Sequence, residues 1–204
     1  MTNKQTISGL CLTLILLLPG FLRAQNRFAV SSTIEVKNAV IQQRDYWLHL
    51  FPDDDLTSFG FNSLEEKNNA VPGEPITVYH MFRDYNGNPN VQSAEEYLVP
   101  LIVMNEVRAF ITVAYFEGSY QVVNGGEMNL AKDASPFIMQ HHKSGTPLIW
   151  VKQLNYAADF IAVNTSSEPA LQPLFTAKRA MVTEATSYKA AEQHFQSLPL
   201  SFNF

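Results

Sequence analysis

The chain has a single cysteine among its 204 residues, Cys11, and it sits in the apolar stretch near the amino terminus. Everything after it is thiol-free. That excludes disulfides, cysteine-based metal sites and a thiolate nucleophile from the rest of the chain. Charge is also scarce, at 16% of residues, and its balance is acidic, with 14 Lys and Arg against 19 Asp and Glu. Nucleic acid and anionic membrane surfaces both select for clustered basic residues, so neither is an expected partner. Motifs of nucleophilic hydrolysis are missing too. There is no Gly-x-Ser-x-Gly elbow, no Ser-x-x-Lys pair and no His-Glu-x-x-His metal helix. Any chemistry must come from oxygen and imidazole groups.

What is present begins with an export signal. Lys4 is the only early charge, an apolar run extends from Leu10 to Phe21, and a small residue, Ala24, precedes Gln25. A basic start, a short apolar centre and a small residue at the cut are the pattern of a cleavable secretory signal. The run is too short for a membrane span, which needs roughly 20 apolar residues. A signal over 1–24 is therefore expected, followed by one globular α+β domain over 25–204, secreted or periplasmic, with no membrane span. Cleavage there removes Cys11, Lys4 and Arg23 but no acid, so formal charge moves from −5 to about −7. A domain of that length buries about 70% of its unfolded surface and can stand on its core alone.

Hydrophobic periodicity predicts the elements. Ser32 and Glu35 have capping-box spacing, and Val36, Ala39, Val40, Trp47 and Leu50 share a helical face. This predicts one helix ended by Pro52 and the acids Asp53, Asp54 and Asp55. Glu65 and its neighbours suit a turn or two of helix, and Val71-Pro72-Gly73 reads as a turn. Ile76–Phe82 is β-branched and aromatic, as strands are. Residues 84–90 read as turn or loop. Residues 97–124 read as three strands joined by tight turns, with Val107, Ala109, Ile111, Val113 and Tyr115 facing the core. Pro100 predicts an edge or a bulge. Helix interrupted at Pro136 is expected after Gly125-Gly126, then a hairpin around Asn155-Tyr156. Residues 164–173 read as loop. Thr176–Val182 fits strand or helix equally, and a short final helix around Tyr188–Leu198 is capped by Ser187.

These elements predict an α+β fold: an antiparallel meander sheet of five or six strands, with an N-terminal and a short C-terminal helix on one face or at the ends. The order is similar to cystatin-like and profilin-like sandwiches. The similarity is one of shape and implies no function.

Candidate sites are few. Adjacent His141 and His142 point about 100° apart on a helix, which suits a surface better than one metal. Asp53–Asp55 and the 84–88 segment lack the alternation and terminal Glu of a calcium loop. Glu65-Glu66 and Glu95-Glu96 are sequence neighbours, not carboxylates placed across a groove. No metal site and no cofactor is expected. Arg108, Thr112 and Phe110 alternate on the less apolar side of the clearest strand, and this trio is the expected binding face. Arg108→Ala is then expected to weaken partner capture at nearly unchanged melting temperature, whereas a large stability loss would mark a structural ion pair. The functional expectation is a non-enzymatic binding module for a protein or small-molecule ligand, one version being an inhibitor or pro-domain-like partner of an exported enzyme. The alternative is an exported hydrolase with a dispersed acid and base.

Overall fold

A computed structural model describes residues 33–83, 89–164 and 169–198. The expected signal over 1–24, the Ser32 half of the capping box and positions 84–88 lie outside the described residues. The chain divides after Ile34, and the unit that begins at Glu35 carries every strand described below.

Helix α1 (33–42) buries Val36, Ala39 and Val40, as its spacing predicts. The helix is not continuous to Leu50. It breaks at Gln43, whose φ of −96° and ψ of 25° are not helical, and restarts as α2 (Arg44–His49). The break has a cause in the sheet. Gln43 Oε1 accepts from Val122 N at 3.0 Å and its Nε2 donates to Tyr120 O at 3.3 Å. The amide thus pairs the backbone of an edge strand that would otherwise stay a template for aggregation.

A 3₁₀ turn (Leu56–Phe59) and α3 (Leu64–Asn68) follow, with Ser63 Oγ accepting from Glu66 N at 3.1 Å as the N-cap of α3. Lys67 on α3 is buried, and its Nζ donates to Leu48 O at 3.3 Å and Phe51 O at 2.9 Å, while also pairing with Asp53. Asp53, from the acidic run, is thus part of the clamp that closes α2. Its neighbours Asp54 and Asp55 are exposed.

Among the described residues the sheet has eight strands: β1 (Val71–Pro72), β2 (Ile76–Arg83), β3 (Pro89–Val103), β4 (Glu106–Phe116), β5 (Ser119–Gly126), β6 (Leu148–Gln153), β7 (Ala158–Val163) and β8 (Gln172–Pro173). Their spatial order is β5-β4-β3-β2-β6-β7-β8, with β1 paired to β3. All pairings are antiparallel except β2 with β6. The sheet is larger than the five or six strands expected, because β1 and β8 are two-residue strands whose composition is that of turn and loop. It is also larger than the cystatin-like or profilin-like shape implied.

The two tight turns of the meander are Met104-Asn105 (φ 49° and 66°) and Glu117-Gly118 (φ 49° and 88°). Positive φ at both central residues matches the right-handed twist of the flanking strands. Pro100 lies on β3, an interior strand, not on an edge. Its carbonyl accepts from Gly73 N at 2.8 Å, at the point where the neighbour of β3 changes from β2 to β1. In a strand the N and O of one residue point the same way, so the missing N–H faces this junction and no ladder bond to β4 is lost.

After β5 the chain crosses the sheet as α4 (Met128–His142) and enters β6 beside β2, hence the one parallel pairing. Pro136 does not interrupt α4. Proline removes the bond to the carbonyl four residues back, here Lys132, and crowds it, but both residues lie on the exposed side of the helix, where that carbonyl can turn to solvent. Leu130, Ala131, Ala134 and Ile138 pack from α4 onto Leu98, Phe110 and Trp150. The opposite sheet face holds Val99, Leu101, Ala109 and Ile111 under α1–α3 at one end. At its other end it holds Ile149, Val151 and Phe160 under α5 (Phe175–Arg179) and α6 (Tyr188–Ser197). Helices therefore cover both faces, not one. The 176–182 segment resolves to the helical option. Ser187 Oγ accepts from Ala190 N at 3.2 Å, capping α6 as predicted. No helix among the described residues is long and apolar enough to cross a membrane.

Candidate functional site

The face predicted to dock a partner is covered by α4, and its three residues have different environments. Phe110 is 1% exposed, its ring meeting Trp150 edge-on at 5.2 Å. It contributes packing and presents no surface. Thr112 is half-buried between its ladder partners Leu98 and Asn124. Arg108 alone reaches a concave surface.

That surface is a cleft of about 540 Å³ at the end of the sheet where β4 begins. Such a volume is within the range of small-molecule sites, roughly 300–1,000 Å³. Three segments distant in sequence build it. The 3₁₀ turn and the loop to α3 supply Gly60 and Asn62, the β3–β4 turn supplies Asn105 and Glu106, and α4 supplies Met128, Lys132 and Met139. Residues 128, 132, 135 and 139 of α4 follow each other at helical spacing, so one stripe of the helix walls the cleft while the next stripe packs on the sheet.

Local backbone chemistry sets the geometry. A bulge places Val107 and Arg108 of β4 against Ile102 of β3. Bulges re-aim side chains and leave a backbone group unpaired. Here the Val107 N–H is satisfied by Ser135 Oγ of α4 at 2.9 Å. Gly60 brings the loop against β4. Its φ is +89°, and a Cβ there would lie 2.3 Å from the Arg108 carbonyl oxygen. Only glycine permits this approach.

The Arg108 guanidinium is held between two carboxylates. Nη1 lies 2.9 Å from Glu106 Oε2 and Nη2 lies 3.5 Å from Glu66 Oε1, while buried Nε has no acceptor among the described residues. The two acids are not equivalent. Glu66 is 13% exposed, and both its oxygens accept from the Asn62 amide at 3.0 Å, Oε2 also from Asn62 N at 2.8 Å. Those bonds from the Asn62 side chain and backbone, then the Arg108 charge, hold its carboxyl below the usual range against some opposing burial. Glu106 is 61% exposed and has Arg108 as its ion-pair partner. Glu66 thus orients the guanidinium, and Glu106 occupies its outer edge. These ion pairs mean that Arg108→Ala would cost some stability as well as any binding.

The other titratable groups of interest lie away from the cleft. Asp159 is buried on β7, accepting from Trp150 Nε1 at 2.8 Å and Thr176 Oγ1 at 3.0 Å, and burial pushes its carboxyl up despite those bonds. Burial likewise raises Glu192 on α6, with Arg83 opposing, and lifts Tyr188 to about 12. His141 and His142 occupy the last turn of α4, the first with its ring 4.8 Å from Phe137. Among the described residues, no three His, Cys, Asp or Glu side chains gather as a metal site.

The fold that carries this cleft is an α+β protein with a large, mostly antiparallel open sheet. Comparison with known family models, curated proteins and solved structures finds no match to the chain.

Proposed function

We propose that this chain is an exported, non-enzymatic binding module and that the cleft beside Arg108 receives its ligand. The observation that carries the reading is the cleft itself. It combines a volume suited to a small molecule, an apolar side from Met128 and Met139, and a pre-oriented guanidinium at its base. Ligand sites typically pair apolar walls with a few fixed polar groups in this way. Methionine walls adapt their shape at low cost.

The same geometry disfavours the hydrolase reading. A general acid needs a carboxyl raised toward the working pH. Glu66 is shifted the opposite way and stays ionised on Arg108. Asp159 and Glu192, which are shifted upward, lie away from the cleft, Asp159 accepting from Trp150 and Thr176 inside the core and Glu192 on α6. Export is supported by the charge and hydropathy pattern of residues 1–24.

A ligand-observed NMR screen of neutral, cationic and anionic fragments tests the module reading. Fragments should bind the parent chain and lose their signal in Met139→Arg, which fills the cleft. If every binding fragment persists in Met139→Arg, the cleft is not the site.

A further inference from the structure

The cleft also indicates what kind of ligand it takes. We infer, on the basis of the reading above, that the ligand is a small monocarboxylate with an apolar body, and that its carboxylate displaces Glu106 from Arg108. Arg108 offers a planar fork of donors suited to a carboxylate. One side is fixed by Glu66, which Asn62 holds with three hydrogen bonds. The other side contacts Glu106, whose carboxylate is mostly in solvent. An exposed ion pair of that kind is weak and easily exchanged. Glu106 is therefore a placeholder of the same chemistry as the group that replaces it.

Lys132 strengthens the choice of an anion. It is exposed on the cleft stripe of α4, and among the described residues no hydrogen bond or ion pair holds its ammonium. Glu66 occupies one edge of the guanidinium and leaves the other for a single carboxylate, while a phosphate, charged on every side, gains nothing from the methionine walls and loses its hydration against them. Beyond the charged end, Met128 and Met139 offer a surface for hydrocarbon and no further cation. The complementary molecule carries one carboxylate at one end and an aliphatic or aromatic body at the other.

Calorimetric titration of the full chain with hexanoate, hexanol, hexylamine and inorganic phosphate tests this inference. Hexanoate should bind, and the other three should bind at least tenfold more weakly. Lys132→Gln, which breaks no contact, should weaken hexanoate severalfold at unchanged melting temperature. Glu106→Gln should tighten hexanoate about two- to fivefold, the strength of the exposed pair it removes. A Glu106 that acts only through its charge would give phosphate the same gain. Equal binding of hexanol, an equal Glu106→Gln gain for phosphate, or unchanged or weaker hexanoate in Glu106→Gln would each overturn the inference. Failure of hexanoate to bind would also overturn it, while the fragment screen still decides whether the cleft binds anything.

Discussion

Lys67→Met isolates one physical term that the structure makes large. The side chain is 7% exposed, and its ammonium serves the carbonyls of Leu48 and Phe51 as well as Asp53. Methionine keeps the length and apolar stem but removes every donor. The Phe51 carbonyl then loses its donor next to the core formed by Trp47, Phe51 and Phe61, while the Leu48 carbonyl keeps the Phe51 N–H. A buried polar group left unpaired costs about 1–3 kcal/mol. Relief from desolvating an ammonium offsets part of that loss. The net expectation is about 1–2 kcal/mol, which is a melting temperature lower by about 2–8 °C for a unit of this size. Asp53→Asn provides the contrast. Asp53 is 66% exposed, so losing its charge should cost under about 1 kcal/mol. Calorimetric unfolding of both variants checks the pair. If Asp53→Asn cost as much as Lys67→Met, the ion pair and not carbonyl capping would hold α2, and the reasoning would fail.

Other expectations concern the bulge, the buried acids and export. Ser135→Ala should cost about 1–3 kcal/mol in chemical denaturation, because it strands the Val107 N–H at the bulge; a neutral result would mean another group satisfies that donor. Glu192→Gln should raise the melting temperature at pH 7. Burial raises the Glu192 carboxyl above its ordinary 4.5. Its favourable contribution is therefore complete below pH 4.5 and is lost as pH rises through the folded value, so at pH 7 the charged form is a burden that glutamine lacks. The advantage should vanish below pH 4.5; an equal gain at both pH values would locate the effect elsewhere. Intact-mass measurement of chain recovered after expression in an export-competent host should find it starting at Gln25, and an uncleaved chain would contradict the export reading.

Much of the sheet was readable because its signals are local. The alternation of β4 and its flanking tight turns depend only on residues within one hairpin. Ser187 caps α6 through a neighbour three residues away. The missed features depend on contacts between distant segments. Gln43 breaks the first helix because its amide is used by Tyr120 and Val122, some eighty positions on. Pro100 sits inside the sheet because β1 and β2 change places beside it. Val71-Pro72 has turn composition, yet it pairs with Ile102 and Leu101. Pro136 is tolerated because the carbonyl it abandons faces outward.

The cleft divides in the same way. Arg108 is marked in the sequence as a lone base in an apolar strand, and it lines the cleft. Phe110 was selected by the same alternation but lies under α4, which no property of β4 announces. Asn62 and Lys132 carry no local mark, and Glu66 shows in the sequence only as the neighbour of Glu65, since the three come together only where α3 and α4 converge on the start of β4. The nearest hint was the Gly60 between two phenylalanines, a residue type that permits close backbone approach.

The central claim, a ligand cleft at Arg108, is tested most directly by mapping amide chemical shifts of the isotope-labelled chain during a hexanoate titration. Saturable shifts are expected at Asn62, Asn105, Glu106, Arg108 and Lys132, with β7 and α6 unaffected. Shifts centred on β7 or α6, or none at the cleft residues while hexanoate binds, would contradict it.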